Sequence, residues 1–297
     1  MDVSIIIVNY NTWELTSQCI DSIYRITEAV SFEVILVDNA SVDGSRERFQ
    51  NDTRIIYIYS EENLGFGRAN NMGLSVAKGR NILFLNPDTL LLNNAVKILS
   101  SVLDSNTEVG VCGGNLYDAQ MIPALSFKRI FPGIAEECNS LLFHVPEKLF
   151  YGRSWYHNHT SEPMDVAYVS GADLMVRKSV LDEVGAFSPE FFMYYEETDL
   201  CFRIAAAGYR IRSVPQACIQ HLEGGSFQNT VNIRRLTFSE NGRDVFYKRN
   251  YSPFRHKMAN AICKIALAIH GIVYDLLRRP QKAAACRVRR QIISQMR

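Results

Sequence analysis

An acidic cluster in the second half of the chain carries residues that could move a proton. Glu196, Glu197 and Asp199 fall within four residues and directly follow an aromatic run, residues 191–195. Aromatic packing removes water from a carboxylate and raises its pKa, which suits a general base that deprotonates a hydroxyl group. The alternative is structural, because acids are favoured in the first turn of any helix and Arg203 is placed to pair with Asp199.

A divalent cation could be held at Asn86-Pro87-Asp88. The three residues follow an apolar stretch, residues 82–85, that is typical of a buried strand. A carboxylate in a turn fixed by proline offers the oxygen ligand that Mg²⁺ or Mn²⁺ prefers, and such an ion neutralises charge on a diphosphate leaving group. Because asparagine, proline and aspartate all form turns, an ordinary turn is the alternative interpretation.

His221 is a second candidate for the same ion or for a phosphate contact. It ends an apolar stretch and is soon followed by Gly224, Gly225 and Ser226, which permit close approach of the backbone. A lone histidine is more often buried with its hydrogen bonds satisfied, and the sequence leaves both interpretations open.

Two further apolar stretches also end in polar residues. The first ends in Asn9-Tyr10-Asn11 and the second in Asp38-Asn39. A carboxylate at position 38 could accept a hydrogen bond from a base imide or a ribose hydroxyl. Its alternative role is to cap the N-terminus of the helix that follows.

A glycine-containing segment, residues 62–71, offers a phosphate contact. Gly65 allows close approach of the backbone, and Arg68 could reach a phosphate. The pattern invites a dinucleotide-binding interpretation, but Asn70 replaces the third glycine of Gly-x-Gly-x-x-Gly. The sequence therefore disfavours a nicotinamide-dependent oxidoreductase.

The elements that position these residues alternate between strands and helices. Apolar runs and helical spacing predict strands at residues 3–8, 33–37, 55–59, 81–85 and 109–112, and helices at residues 12–26, 45–49, 68–77 and 93–103. This order implies a mixed, mainly parallel α/β sheet with helices on both faces and one cleft at the carboxyl ends of its strands. Beyond a weakly periodic segment, residues 126–162, we expect strands at 166–176 and 209–214, a helix at 197–207, and helices from 232 onward.

Composition narrows the class of protein. The 297 residues are 47% hydrophobic and carry a net charge of +1, which fits one large α/β domain with appendages and argues against a nucleic-acid binder. The 7 cysteines are scattered without Cys-x-x-Cys spacing, so we expect reduced thiols and neither a disulfide framework nor a structural zinc site. The first residues have the pattern of a buried strand and lack that of a signal peptide.

Taken in order, these segments resemble inverting family-2 glycosyltransferases with a GT-A (Rossmann-like, nucleotide-binding) fold, and more narrowly their bacterial rhamnosyltransferase-like branch. The match covers roughly residues 3–226, and the order of its motifs makes it specific. The motifs are residues 4–11, 37–45, 62–67 and 84–88, Ser170-Gly171-Ala172, residues 184–187, and Glu196-Glu197-Thr198-Asp199-Leu200 with its trailing Arg203.

The resemblance implies a role for each position. Asp38 would read the pyrimidine of a dTDP or UDP donor, and Glu197 would be the general base. Asp88 and His221 would hold Mg²⁺ or Mn²⁺. The implied donor-binding residues are Asn9, Tyr10, Asn11, Asp38, Asn39, Gly65, Arg68, Asn70 and Asn86, and the secondary site candidates are Glu196, Asp199, Gly171, Ala172 and Ser226. Two positions depart from the family pattern: Asn86 replaces the first acid of the Asp-x-Asp motif, and the base is glutamate instead of the commoner aspartate.

The expected organisation is a catalytic domain over residues 1–230 and a helical region over residues 231–297. The donor would bind to residues 1–115, and residues 116–230 would supply the base and contact the acceptor. The resemblance implies transfer of rhamnose from dTDP-rhamnose to a hydroxyl of a glycan or lipid-linked acceptor, in the synthesis of a cell-surface polysaccharide such as O-antigen. The alternatives are a UDP-hexose or UDP-N-acetylhexosamine donor, or a non-catalytic nucleotide-sugar-binding protein.

The C-terminal region combines an apolar helix with a basic block. Apolar residues recur at helical spacing between 258 and 276, while Lys264, His270 and Asp275 interrupt them, so we do not interpret the stretch as a membrane span. The basic block is Arg278, Arg279, Lys282, Arg287, Arg289 and Arg290. Such a helix can lie on an anionic membrane surface or pack on the catalytic domain. We therefore expect a cytoplasmic protein that contacts the inner face of the cytoplasmic membrane.

Overall fold

The computed structural model describes residues 1–222 and 232–296. The strands are β1 (Val3–Asn9), β2 (Phe32–Asn39), β3 (Ile55–Ser60), β4 (Asn81–Leu85), β5 (Thr89–Leu91), β6 (Val109–Tyr117), β7 (Phe127–Lys128), β8 (Met164–Asp165), β9 (Tyr168–Val169), β10 (Asp173–Arg177) and β11 (Arg210–His221). The helices are α1 (Trp13–Ile26), α2 (Ser45–Phe49), α3 (Phe66–Leu74), α4 (Ala95–Ser105), α5 (Ile134–Leu141), α6 (Val145–Tyr151), α7 (Lys178–Val184), α8 (Glu196–Ala206), α9 (Ile233–Asn250), α10 (Pro253–Leu276) and α11 (Pro280–Gln295), with a short 3₁₀ turn at Gly152–Trp155.

A mixed sheet of nine strands forms the centre of the molecule. Its order is β3-β2-β1-β4-β10-β6-β11-β5, and β8 pairs with β11 off this path. The pairs β1–β2, β2–β3, β1–β4 and β6–β11 are parallel, whereas β10 runs antiparallel to both of its neighbours. This arrangement confirms the predicted mainly parallel α/β sheet.

Strand β1 shows why both faces of this sheet are covered. All seven of its residues are buried, and successive side chains point to opposite faces. Ile5 and Ile7 belong to one core cluster, which includes residues of α1 and α4. Ile6 and Val8 belong to the other, which includes residues of α3, α7 and α8. A continuous apolar run is therefore what a strand buried between two helical layers requires.

Several element boundaries differ from those expected from periodicity. Helix α3 begins earlier, because the backbone N–H of Phe66 is bound by the carbonyl of Phe192 (2.9 Å). Strands β6 and β11 are longer than expected, and β11 continues through a register shift between Val214 and Cys218 to reach His221. Residues 126–162 contain α5 and α6, which their weak periodicity concealed.

Helices α9–α11 pack together and against α5 and α8. The guanidinium of buried Arg243 on α9 lies 2.9 Å from a carboxylate oxygen of Glu137 on α5. Arg289 on α11 donates to Glu240 on α9 (2.5 Å).

By length and composition α10 is apolar enough to cross a bilayer, with a mean hydropathy of 1.3. The sequence had favoured the opposite interpretation, that this stretch is not a membrane span. No other described helix meets this test.

Candidate active site

Asn9 fastens the carboxyl ends of β1 and β2 to the turn that follows. Its buried amide nitrogen donates to the hydroxyls of Ser41 (3.0 Å) and Ser45 (2.8 Å). Its amide oxygen accepts from the hydroxyls of Thr12 (3.0 Å) and Thr16 (2.9 Å). The side chain of Asn9 is thus engaged within the protein and fixes the floor of the predicted donor pocket.

Asp38 lies fully buried at the end of β2, with bonds to both carboxylate oxygens. The backbone N–H of Ser41 donates to Oδ1 (3.0 Å) and the hydroxyl of Tyr57 donates to Oδ2 (2.7 Å). The Ser41 bond closes a turn directly after β2. It does not cap helix α2, whose N-cap residue Gly44 precedes a helix without a side-chain cap bond, so the predicted alternative of a helix cap is wrong. The Tyr57 bond was not foreseen, and burial raises the pKa of that phenol, so it remains a hydrogen-bond donor.

Two residues beside Asn9 face outward. Tyr10 is exposed, and Asn11 adopts a left-handed backbone conformation with φ of 56°. The side chain of Asn11 accepts from the N–H of Val42 (2.8 Å). This bond links the turn after β1 to the turn after β2. The predicted donor contacts Tyr10 and Asn11 therefore lie next to the turn that follows Asp38.

Gly65 occupies a position that no side chain could share. It has a φ of +79°, and an added Cβ would lie 2.2 Å from the carbonyl oxygen of Phe192. Asn39 holds the same loop, since its side chain accepts from the N–H of Leu64 (2.8 Å). Because Phe192 lies four residues before Glu196, this contact joins the predicted donor half to the acidic cluster.

Arg68 and Asn70 lie on the first turns of α3. The guanidinium of Arg68 is exposed and donates back to the carbonyl of Leu64 (2.8 Å). The amide of buried Asn70 donates to the carbonyl of Phe66 (3.0 Å). Arg68 is therefore free to swing towards a phosphate at the cost of one exposed bond, whereas Asn70 is held within the helix.

The predicted metal residues come together from distant parts of the chain. The pairing of β5 with β11 places His221 opposite Thr89. Nε2 of His221 then lies 3.2 Å from Oδ1 of Asp88 and 3.3 Å from Nδ2 of Asn86. The carbonyl of Asp88 also accepts from the N–H of Leu222 (2.8 Å).

This cluster fits a divalent cation. Two ligand atoms that bind one ion at right angles, each at about 2.1 Å, lie about 3 Å apart. The 3.2 Å between Asp88 Oδ1 and His221 Nε2 matches that separation, and both side chains are partly open to solvent. A carboxylate with an imidazole suits Mn²⁺ better than Mg²⁺, which prefers oxygen ligands.

A second group of potential metal ligands lies on α5 and α6. Glu136, His144 and Glu147 have ligand atoms within 4.8 Å of one another. The amide nitrogen of Asn139 donates into the centre of this group, at 2.8 Å from Glu147 and 3.2 Å from Glu136. The cluster is thus already organised around an amide donor, and the sequence analysis did not single it out.

The two acids at the start of α8 differ in their surroundings. Burial and then the charge of Glu197 raise the pKa of Glu196 well above its usual range, and Oε2 of Glu196 has no hydrogen-bond partner. Burial also raises the pKa of Glu197, but that side chain is only partly covered. Glu197 therefore combines a raised pKa with access to a ligand, as a general base requires.

A short segment connects Glu197 to the metal cluster. A Cβ on Gly171 would lie 3.5 Å from Cβ and Cγ of Glu197, which places the two residues side by side. The next residue, Ala172, accepts from the N–H of Asn86 (2.9 Å). The candidate base and the Asn86 turn of the metal cluster are therefore linked through two consecutive residues, Gly171 and Ala172.

Asp199 is anchored within the protein. Its fully buried carboxylate accepts from Arg203 Nε (2.9 Å), Arg249 Nε (3.4 Å) and Asn250 Nδ2 (3.1 Å). These bonds bear out the structural alternative of a pair with Arg203. They also tie the start of α8 to the end of α9.

Helix α9 further presses on the turn that carries the acidic cluster. Tyr194 and Tyr195 both have positive φ, at 70° and 73°. A Cβ on Gly242 would lie 2.3 Å from the carbonyl oxygen of Tyr194. This contact could not be predicted from the sequence, because a single glycine in a helical pattern does not indicate what packs against it.

Asp173 is a further acid at the cleft that the sequence analysis missed. It is fully buried at the start of β10, accepts from the N–H of Gly114 (2.5 Å), and has one oxygen without a partner. Burial raises the pKa of Asp173 to about 7, against the opposing effects of the Gly114 bond and of His221. Its position directly after Ser170-Gly171-Ala172 was the available signal.

Ser226 lies outside the described residues, as do Gly224 and Gly225.

Two family models match the chain. The glycosyl transferase family 2 model matches residues 4–185, and the glycosyl transferase family group 2 model matches residues 143–260. Together they cover the sheet, the cleft and helix α9.

The chain is also similar to curated proteins and to a solved structure. It is 30% identical over 206 residues to the low-salt glycan biosynthesis hexosyltransferase Agl10 of Haloferax volcanii, a match that covers 68% of this chain and 61% of that protein. It is 27% identical over 209 residues to N-acetylglucosaminyl-diphospho-decaprenol L-rhamnosyltransferase of Mycobacterium tuberculosis, which covers 63% of this chain and 66% of that protein. The chain thus spans less than two thirds of either relative.

The fold is shared with the crystal structure of GalNAc-T7 with UDP, GalNAc and Mn²⁺. The TM-score is 0.58 at 16% identity, over 83% of this chain and 50% of that one. At this identity the likeness establishes the architecture alone, and it confirms the predicted GT-A fold.

Proposed function

This chain belongs to glycosyl transferase family 2, and from that premise we propose that it transfers a sugar from a nucleoside-diphosphate donor to a hydroxyl acceptor with inversion of configuration. One observation carries the proposal. The partly covered carboxylate of Glu197, with its raised pKa, lies beside Gly171, and the adjoining Ala172 is bonded to the Asn86 turn of the metal cluster.

The reaction is a single displacement. Glu197 accepts the proton of the acceptor hydroxyl, whose oxygen forms a bond to the anomeric carbon of the sugar. The bond from that carbon to the diphosphate breaks, and its electron pair leaves with the nucleoside diphosphate. A divalent ion, when bound by Asp88 and His221, supplies positive charge that offsets the charge of the diphosphate.

The nucleotide would bind over the carboxyl ends of β1 and β2. Asp38 would accept from the imide N–H of a pyrimidine through the lone pairs that Tyr57 and Ser41 leave unused. Asn9 would act indirectly by holding the turn that bears Ser41. Arg68 would release its exposed bond and contact the diphosphate.

Rhamnose from dTDP-rhamnose is the donor that we propose first, with a glycan or lipid-linked saccharide as the acceptor in polysaccharide synthesis. Support comes from the name of the mycobacterial relative, an L-rhamnosyltransferase that acts on a diphospho-decaprenol-linked sugar. The archaeal relative is named a hexosyltransferase, which keeps UDP-hexoses in the panel to be tested.

The base is tested with Glu197→Gln in the full chain. Transfer is measured from dTDP-rhamnose, UDP-glucose, UDP-galactose and UDP-N-acetylglucosamine, and donor binding is measured separately by calorimetry. We expect transfer to fall by roughly 10²–10⁴-fold, with donor affinity unchanged. The exposed Glu28→Gln variant is the matched control and should keep full activity.

Two results would contradict the proposal. Wild-type turnover by Glu197→Gln would remove the assigned base. Donor binding by the wild type, without transfer to any saccharide acceptor or to water, would favour the non-catalytic nucleotide-sugar-binding alternative.

A further inference from the structure

An exposed apolar surface runs across α6 and α10, on elements that the proposed reaction does not use. On α10 the residues Ile265, Ile269, Ile272 and Leu276 follow the spacing of one helix face, and all four are exposed. On α6, Leu149 and Phe150 are 81% and 82% exposed. Adjacent apolar side chains of this size are rarely left in water without a partner.

The two helices form one continuous surface. A cavity of about 610 Å³ lies between them, lined by Leu141, Leu142, Phe143, Val145, Pro146 and Ile269. The ring of Phe143 contacts the ring of His270 on α10, with centroids 3.9 Å apart. Val145 lies one helical turn before Leu149, so the wall of the cavity leads directly to the exposed end of α6.

Positive charge borders this surface. Residues 253–296 contain nine Lys or Arg side chains and one acid, Asp275. Arg287 and Arg290 of α11 line the groove beside Ile272. On α6, Lys148 directly precedes Leu149 and Phe150. An apolar face with a cationic border matches the acyl chains and anionic headgroups of a lipid bilayer.

We propose that α6 and α10 together form a docking surface for an anionic membrane, on which the protein lies without crossing it. The partial burial of α10 under α5 and α11 supports this orientation. Cys263 and Leu267 on its inner face pack against Cys286 and Ile293 of α11. Asn260 on the same helix accepts from buried Arg243 (2.7 Å). A spanning helix would have to give up these contacts.

The structure thereby changes the membrane interpretation of the C-terminal sequence. The sequence assigned contact to the helix and basic block after residue 257, whereas the fold adds α6, from a segment that matched no motif. Part of the basic block is also withdrawn from the surface, because Arg289 is bonded to Glu240. Arg287 and Arg290 remain beside the apolar face, and Arg287 is paired there with Asp275.

Vesicle co-sedimentation of the full chain tests this surface, with phosphatidylcholine vesicles that contain or lack phosphatidylglycerol. Neither donor nor acceptor is present, so the result is independent of the proposed reaction. We expect the wild type to bind the anionic vesicles and to be released by alkaline carbonate. The double variant Leu149→Asn/Phe150→Asn should lose at least about tenfold in affinity, since each residue loses an apolar contact.

Two matched variants sharpen the test. Met121 and Ile122 are another adjacent pair of exposed apolar residues, and Met121→Asn/Ile122→Asn should bind as the wild type does. Lys282→Gln/Arg290→Gln should lose roughly fivefold per charge on anionic vesicles only. Circular dichroism and thermal unfolding verify that each variant is folded.

Three results would overturn the proposal. They are wild-type binding by the α6 variant, no binding of the wild type to anionic vesicles, and retention of the wild type in the bilayer after alkaline carbonate. The last result would mean that α10 crosses the membrane.

Discussion

The predicted donor half, residues 1–115, and the helical body, α5 with α9–α11, are held together in different ways. In the donor half, the buried amide of Asn9 bonds to Thr12, Thr16, Ser41 and Ser45, and none of them is more than 36 positions away. In the helical body, Arg243 binds Glu137, which is 106 residues away. Both networks are buried, yet only the first lies within one short part of the chain, residues 9–45.

This difference shows which parts of the molecule a local sequence motif can identify. The polar turns of the donor half follow apolar strands, so their composition identifies them. The helical body contacts the acidic cluster through residues that belong to no motif: Gly242 packs against the carbonyl of Tyr194, and Asn250 binds Asp199. We therefore expect changes in the donor half to disturb donor binding, and changes in the helical body to disturb stability and the placement of Glu197.

Removing Arg243 should have the largest effect on folding. Arg243→Ala leaves the buried carboxylate of Glu137 without its cation and should lower the free energy of unfolding by about 3–5 kcal/mol. Urea denaturation measures the change, with exposed Lys257→Ala as a control expected within about 0.5 kcal/mol of the wild type. A loss below about 1 kcal/mol would show that the ion pairs do not hold the helical body.

Gly242→Ala tests whether the helical body positions the base. The added methyl group would meet the carbonyl of Tyr194, and a shift of the acidic turn by about 1 Å can cost on the order of 10²-fold in kcat. Donor affinity should not change. Gly271→Ala is the matched control, since its Cβ would lie 3.8 Å from Cys286, an ordinary contact. Equal kcat values in the two variants would show that α9 does not position Glu197.

Asn9→Ala tests whether a change in the donor half disturbs donor binding. Loss of a fully bonded buried amide should cost about 2–3 kcal/mol of stability and should weaken donor binding, because the Ser41 turn loses its support. Calorimetry of donor binding and urea denaturation measure the two effects, and exposed Asn51→Ala serves as the control. Donor affinity equal to that of the wild type would mean that the turn is held by its other bonds.

The metal cluster joins the Asn86–Asp88 turn to His221 on β11 and should respond to Mn²⁺ without turnover. We expect Mn²⁺ to raise the melting temperature of the wild type and to leave that of His221→Ala unchanged, because the variant retains only Asp88 of the pair. Asp182→Asn, an exposed change on α7, is the control. An equal shift for His221→Ala would remove the assigned ligand, and full transfer activity after exhaustive chelation would remove the metal requirement.

The pH dependence of transfer should show the smallest effect, and it reports on Glu197 directly. Burial raises the pKa of this carboxyl, so the protonated, inactive form persists to a higher pH than for an ordinary glutamate. The acid limb of kcat/KM should therefore lie above about pH 4.3, and activity should fall about tenfold per unit below it. A limb at or below that value would show that Glu197 is solvated in the working enzyme.

The apolar runs of the sequence predicted the parallel strands, and the structure confirms them. Strands β1, β2 and β4 are continuous apolar runs, which is the pattern expected of any strand that is covered on both faces. Asp88 and Glu197 could be proposed as site residues because Asp88 follows an apolar run and Glu197 follows an aromatic run, and their roles stay predictions. Helices α5 and α6 were missed, because their apolar residues face outward as well as inward and the helical period is obscured.

The sequence by itself determined the layered α/β fold and the polar ends of its strands, since apolar runs, turn residues and helix starts act over a few neighbours. Tertiary structure alone decided that His221 meets Asp88, that Asp199 is anchored by Arg249 and Asn250, and that α6 joins α10 in one apolar surface. The physical reason is sequence separation: strand pairing and side-chain packing bring together residues that are 50 or more positions apart, and no local pattern records such contacts.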